Sequence, residues 1–170
     1  MCTIVTTVGG ASANSYASIA QATAYNAAHI HGASWAAAVE LDQCKALQTA
    51  TRTLDAMMDW YGEVVSDTQA LLWPRYHAYG GNGLTVPSTI YPPELVNATA
   101  ELARLLLASD LSADLPADAQ GVSAMTVGPL SFTFREGAQA QQLPSIVYFM
   151  IQHLGSLRQR GAGSVSLERC

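Results

Sequence analysis

The sequence predicts a mainly α-helical fold: a small bundle of about four helices with a long inserted loop, a short β element and extended termini. Three observations predict it. Apolar residues recur at spacings of three and four over several segments, as in amphipathic helices. Capping residues and prolines stand where those segments begin. One further segment alternates apolar and hydroxyl side chains, which is typical of a strand.

The first two helices are predicted between a polar N-terminal arm (residues 1–16) and the loop. Ser18 and Gln21 have the spacing of a capping box, so the first helix begins there, and Gly32 ends it. A second helical segment runs over residues 35–61, interrupted near residues 39–41. Its apolar stripe comprises Leu41, Cys44, Leu47, Thr51, Leu54, Met58 and Tyr61.

The second half of the chain is predicted to hold two more helices and the β element. Pro92 and Pro93 suit the first turn of a third helix that ends near Ser109. Residues 125–134 predict two short strands or one bent strand, and Pro144 is expected at the start of a last helix. The two helical stripes comprise Leu95, Ala98, Thr99, Leu102, Leu105 and Leu106, and then Val147, Met150, Ile151, Leu154 and Leu157.

One domain is predicted. Its body spans residues 17–158 and includes the loop 63–91 and the β segment 123–135, between the N-terminal arm and a C-terminal tail at 159–170. The loop is long and contains several aromatic residues, which favours a functional segment over a disordered one.

The composition favours an assembly and argues against tight DNA binding. Hydrophobic residues make up 49% of the 170 residues and charged residues only 12%, so much uncharged surface is available to partner subunits. The net charge is −5 and Lys45 is the only lysine. Sequence-independent DNA binding needs many cationic contacts with phosphates, and this chain has few.

Catalytic, cofactor, metal and membrane functions are not expected. The sequence lacks the G-x-S-x-G nucleophile elbow and the other motifs of a known mechanism. His29 and His31 lack ligands at a suitable spacing and are predicted to be an ordinary polar helix end. No apolar segment reaches the roughly 20 residues of a membrane span, and no signal peptide is recognisable, which predicts synthesis in a cytoplasm.

The three cysteines are widely spaced and odd in number, which does not indicate a disulfide framework. Cys44 belongs to the apolar stripe of the second helix and is predicted to lie in the core. Cys2 and Cys170 are predicted to be reduced and incidental.

The motif Trp73-Pro74-Arg75 is the strongest candidate for an interaction site, because Trp and Arg dominate interface energetics. An alternative is that Trp73 packs over the bundle while Arg75 pairs with a buried acid such as Asp55. The complete set of predicted subunit or partner contacts is Trp73, Pro74, Arg75, Tyr76, Tyr79, Arg158 and Arg160.

A family resemblance extends over roughly residues 15–157, in the segments 15–20, 24–25, 35, 46–55, 69–75, 90–93, 98–103 and 127–130. No single segment is a strong signal, and Trp73-Pro74-Arg75 alone is weak, so the ordered set carries the resemblance. Taken in order, these segments resemble a phage head–tail connector family that is often labelled DnaT-like ssDNA-binding protein.

The resemblance implies a non-enzymatic head–tail adaptor located at the head–tail junction of a virion. It implies a homo-oligomeric ring, about twelve-fold in similar adaptors, with a portal protein and a downstream tail or stopper protein as partners. DNA would then pass through the channel without tight binding, which suits the shortage of lysine. Two alternatives stay open: a replication-associated module that binds single-stranded DNA, and a neighbouring stopper or tail-completion protein.

Overall fold

The computed structural model describes residues 2–109, 124–127, 130–133 and 143–158. Over these residues the chain is mainly helical, as predicted, with three small two-stranded sheets. The helices are α1 (Ile19–Ala27), α2 (Ala33–Ala37), α3 (Glu40–Met57), α4 (Pro93–Ala108) and α5 (Ser145–Ile151). The strands are β1 (Met58–Trp60), β2 (Glu63–Val64), β3 (Arg75–Tyr76), β4 (Ala124–Val127), β5 (Leu130–Thr133) and β6 (Gly155–Leu157).

The first helix begins where the capping box predicted. The Ser18 hydroxyl accepts a hydrogen bond from the backbone N–H of Gln21 at 3.2 Å, and the Gln21 side chain accepts one from the Ser18 N–H at 2.9 Å. The second helical segment is interrupted as predicted, because Ala38 and Val39 adopt extended backbone between α2 and α3.

The predicted end of the second helix, at Tyr61, is wrong. Helix α3 ends at Met57, and β1 pairs antiparallel with β6, with Met58 opposite Leu157 and Trp60 opposite Gly155. The helical spacing of apolar residues continues past Met57 to Tyr61. Residues 58–60 nevertheless form a strand, because they pair with a segment about 100 residues further along the chain. Only tertiary contact could decide this, since short apolar segments suit either structure.

The loop 63–91 contains paired backbone. Strands β2 and β3 pair antiparallel, and an isolated bridge joins Tyr79 to Thr85. The Val86 N–H donates to the Ala78 carbonyl at 2.9 Å, which closes a hairpin-like turn. The loop is therefore shaped by its own hydrogen bonds.

The remaining elements follow the prediction closely. Helix α4 begins at Pro93, helix α5 follows directly after Pro144, and β4 and β5 form the two-strand version of the β segment. The polar stretch 110–121 and the tail 159–170 lie outside the described residues.

Helix α4 is the centre of the bundle and packs against α1, α2, α3 and α5. Its buried polar pair, Glu101 and Arg104, is joined by two hydrogen bonds, and Arg104 also donates to the His31 carbonyl at 3.4 Å. This pair fixes the corner between α1 and α2 to the central helix. No helix in the described part of the chain has the length and hydropathy that crossing a membrane requires.

The N-terminal arm is integrated into the domain. Asn14 bonds the backbone of Val5 and Thr3, and Tyr16 is fully buried against Tyr91, with ring centroids 5.1 Å apart. Cys44 is buried in the core, as predicted, and it forms a disulfide with Cys2 across a Cα–Cα distance of 6.1 Å. The expectation that Cys2 is reduced and incidental is therefore wrong, because the arm folds back on α3. Cys170 lies outside the described residues.

Candidate functional site

Trp73 and Pro74 lie inside the domain. Trp73 has no exposed surface, and its ring meets Trp60 edge to face with the centroids 6.0 Å apart. Pro74 is also buried, and it follows Trp73 through a cis peptide bond. The alternative prediction, that Trp73 packs within the domain, is therefore confirmed. Trp73 has no exposed surface with which to contact a partner.

Asp55 of α3 accepts hydrogen bonds from several segments that meet at this aromatic pair. Its carboxylate accepts hydrogen bonds from the Tyr16 hydroxyl at 2.6 Å, the Trp60 indole N–H at 3.1 Å and the Leu72 backbone N–H at 3.3 Å. Burial, followed by the charge of Asp55, raises the pKa of Tyr16, so its hydroxyl keeps its proton and donates. One carboxylate thus joins the arm, β1 and the loop.

The ionisation of Asp55 predicts a pH dependence of stability. Burial raises its pKa above the ordinary value, although the three donated hydrogen bonds and the Arg75 charge oppose that shift. A raised folded-state pKa contributes stability that is complete below the unfolded pKa, about 3.9, and is lost as the pH rises through the folded value. We therefore expect the wild-type chain to gain stability over Asp55→Asn on acidification from neutral pH to about pH 4.

Urea unfolding of both proteins at several pH values measures this difference. A stability difference that stays constant or shrinks on acidification contradicts the expected direction of the Asp55 shift.

Arg75 does not form the ion pair with Asp55 that the sequence suggested. Its guanidinium donates to three backbone carbonyls: Nε to Tyr61 at 2.8 Å, Nη1 to Leu72 at 3.1 Å and Nη2 to Gly62 at 2.6 Å. Burial lowers the pKa of Arg75, while the negative charge of Asp55 favours the charged form at longer range. Arg75 therefore holds two loop segments together and keeps its charge.

Three exposed tyrosines lie in the segments next to this arginine: Arg75 bonds the carbonyl of Tyr61, and Tyr76 and Tyr79 follow Arg75 in the chain. Tyr61, Tyr76 and Tyr79 are 51%, 46% and 56% exposed, respectively, and we call them the tyrosine surface. Tyr76 pairs with Glu63 in the β2–β3 ladder. Glu63 lies two residues after Tyr61, whose carbonyl accepts a hydrogen bond from Arg75. The sequence predicted Tyr76 and Tyr79 as contact residues but placed Tyr61 in a buried helical stripe, which is wrong because α3 ends before it.

The backbone that carries the tyrosine surface is tightly constrained. Gly62 has a φ of +78°, and a Cβ on it would lie 2.1 Å from the Tyr76 carbonyl oxygen, so only glycine fits. His77 has a φ of 57°, which is uncommon for a residue with a side chain. Such backbone conformations are often found at functional sites, and here Gly62 follows Tyr61 and His77 follows Tyr76 directly.

Arg158 lies on the same side of β1 as Tyr61. Asp59 and Tyr61 are exposed while Met58 and Trp60 are buried, so the first two point to one solvent-facing side. Arg158 Nε donates to Asp59 Oδ1 at 2.8 Å and its Nη2 to the Met58 carbonyl at 3.4 Å. Arg160, the last predicted contact residue, lies outside the described residues.

Asp59 was not predicted as a neighbour of this site, and Asp55 was predicted only as a partner for Arg75. The alternation of apolar and polar side chains over residues 58–61 is compatible with a strand, but four residues are too few to decide between a strand and a continued helix.

One comparison with known proteins identifies a family. The model of the family described as "Putative DnaT-like ssDNA binding protein" matches residues 1–170. The chain belongs to the DnaT-like ssDNA-binding family. No curated protein and no solved structure matches this DnaT-like chain in the corresponding comparisons.

This finding overturns the head–tail adaptor interpretation. The family that covers the whole chain is described by single-stranded DNA binding, whereas nothing supports a virion role, a portal contact or a place in a connector ring. The DnaT-like label itself was part of the predicted resemblance and is confirmed. The adaptor role was implied by the resemblance, and the shortage of lysine that accompanied it does not exclude binding through aromatic side chains.

Proposed function

We propose that this protein binds single-stranded DNA on the tyrosine surface, with Arg75 contacting a phosphate. The observation that carries the proposal is that three tyrosines, each about half exposed, lie on the two segments that the Arg75 guanidinium joins by hydrogen bonds. Membership of the DnaT-like family supports the choice of ligand.

Stacking is the interaction that this surface offers. Unpaired bases stack on aromatic side chains with about 1–3 kcal/mol per base, and every base has a π face. A duplex keeps its bases stacked on each other, so exposed tyrosines favour single strands. Trp73 takes no part, because it is buried.

Arg75 can contact a phosphate without leaving its structural role. A guanidinium has five N–H groups, of which Arg75 donates three to backbone carbonyls. The other two remain available, and no carboxylate of the described residues lies within ion-pair distance of Arg75. The guanidinium therefore keeps two donors, and no directly bonded carboxylate competes with a phosphate for them.

The acidic character of the chain sets the expected affinity. With a net charge of −5 there are few phosphate contacts, so binding depends on stacking and shows a shallow salt dependence. Three stacked bases and one or two phosphate contacts correspond to a Kd of about 1–100 μM after the cost of ordering the strand.

Fluorescence anisotropy with a labelled oligothymidine of about 15 nucleotides at low salt tests the proposal, with a duplex of the same length as the comparison. We expect micromolar binding of the single strand and at least about tenfold weaker binding of the duplex. Equal affinity for both, or no binding of the single strand at about 100 μM protein, contradicts the proposal.

A further inference from the structure

Asp59 and Arg158 form an exposed ion pair at the edge of the tyrosine surface. Their side chains are 56% and 50% exposed, and the pair joins β1 to the residue that follows β6. Asp59 stands two residues before Tyr61 on the same side of the chain, which corresponds to roughly 6–7 Å along a strand. That separation is close to the rise of about two stacked nucleotides.

Arg158 keeps unused donors in this position. It donates its Nε to Asp59 and one Nη2 hydrogen to Met58, so three of the five guanidinium N–H groups remain. Arg75 bonds the carbonyl of Tyr61, and Arg158 bonds the side chain of Asp59 two residues earlier, so both arginines contact the segment 59–61. A strand that stacks on Tyr61 would therefore pass over a segment that carries two arginines.

The electrostatic states of the two arginines differ. Arg75 donates to neutral carbonyls, whereas the charge of Arg158 is neutralised by the Asp59 carboxylate at 2.8 Å. A carboxylate and a phosphate offer the same pair of acceptor oxygens to a guanidinium, so they compete for one position. Because exposed ion pairs contribute little, the exchange costs little.

We propose that Asp59 occupies the position of a DNA phosphate on Arg158 and limits the affinity of the tyrosine surface for single-stranded DNA. This inference rests on the proposed function. On binding, a phosphate oxygen takes the place of Asp59 Oδ1, and Asp59 turns to solvent. Arg158 is then the second phosphate contact, and Asp59 keeps binding weak when no strand is stacked on Tyr61.

The test is the affinity of Asp59→Asn for labelled oligothymidine, measured by anisotropy at several salt concentrations. We expect binding about two- to fivefold tighter than that of the wild type at low salt, with the gain declining as salt screens the charges. Arg158→Gln should bind about two- to fivefold more weakly and reduce the slope of log K against log salt by about 0.7, the value of one lost contact with a single strand.

Matched controls exist on α3. Asp42 forms an exposed ion pair with Lys45 at 3.3 Å, so Asp42→Asn makes the same change in net charge at a different place. Arg52, an exposed arginine, provides Arg52→Gln as the control for Arg158→Gln. We expect both controls to bind within about twofold of the wild type, since local contacts and not net charge decide the effect.

The double variant Asp59→Asn/Arg158→Gln completes a thermodynamic cycle. We expect the gain from Asp59→Asn to disappear when Arg158 is absent. If Asp59→Asn does not tighten binding, or tightens it equally without Arg158, the inference is overturned while the proposed function stands. If replacing the tyrosines leaves binding unchanged, both are overturned. Circular dichroism melts of each variant confirm that all are folded.

Discussion

Replacing Asp55 with alanine is expected to lower the free energy of unfolding by about 3 kcal/mol at neutral pH. The change removes the acceptor of three donors: the Tyr16 hydroxyl, the Trp60 indole N–H and the Leu72 N–H. Each donor left unsatisfied in the interior costs about 1–3 kcal/mol. The total stays below the sum because removing a partly buried carboxylate also removes its desolvation cost.

Urea unfolding, monitored by tryptophan fluorescence, measures the change, since Trp60 and Trp73 lie next to the carboxylate. Asp59→Ala is the matched control: Asp59 is exposed, and its ion pair with Arg158 should contribute no more than about 1 kcal/mol. Asp55→Asn keeps one oxygen acceptor but turns an amide towards the Leu72 N–H, so an intermediate loss of about 1–2 kcal/mol is expected. Equal losses of unfolding free energy for Asp55→Ala and Asp59→Ala would contradict a stabilising role of the three hydrogen bonds to Asp55.

Replacing Tyr61, Tyr76 and Tyr79 together with alanine is expected to weaken binding of single-stranded DNA by at least about 100-fold. Each stacked base contributes about 1–3 kcal/mol, and about half of each tyrosine is exposed and free to stack on a base. Single substitutions should each weaken binding by about five- to 100-fold, and replacement with phenylalanine should retain most of the affinity because the ring is kept.

Anisotropy titrations of these variants measure the loss, and unfolding curves check that stability is retained. Val39 and Leu41 supply the control, since they are exposed apolar residues around the start of α3, outside the tyrosine surface. Their replacement with alanine should leave the affinity within about twofold of the wild type. A triple tyrosine variant that binds as well as the wild type would contradict the proposed site.

The helical body could be predicted because its signals are local. The Ser18 capping box, the prolines before α4 and α5, and the stripe of Leu95, Ala98 and Leu102 are all contained within one or two helical turns. These residues determine where helices begin and which face they bury, whatever the rest of the chain does. Local spacing of apolar residues also predicted that Cys44 is buried and that two short strands lie near residues 124–133.

The candidate site could be predicted only in part, because its residues are separated in sequence. The sequence singled out Arg75, Tyr76, Tyr79 and Arg158, but it could not show that Arg75 bonds carbonyls more than ten residues earlier. Nor could it show that Arg158 meets Asp59, 99 residues earlier. Such pairings depend on long-range strand contacts, which local patterns do not encode.

By itself, the sequence determined a mainly helical domain with low charge and an aromatic loop. The tertiary structure decided what each aromatic residue does. Pairing of β1 with β6 ends α3 at Met57, and this exposes Tyr61 while Trp60 and Trp73 pack together over Asp55. The physical reason is that a ring is buried or exposed according to the segments that pack against it, and here those segments lie far apart in the chain.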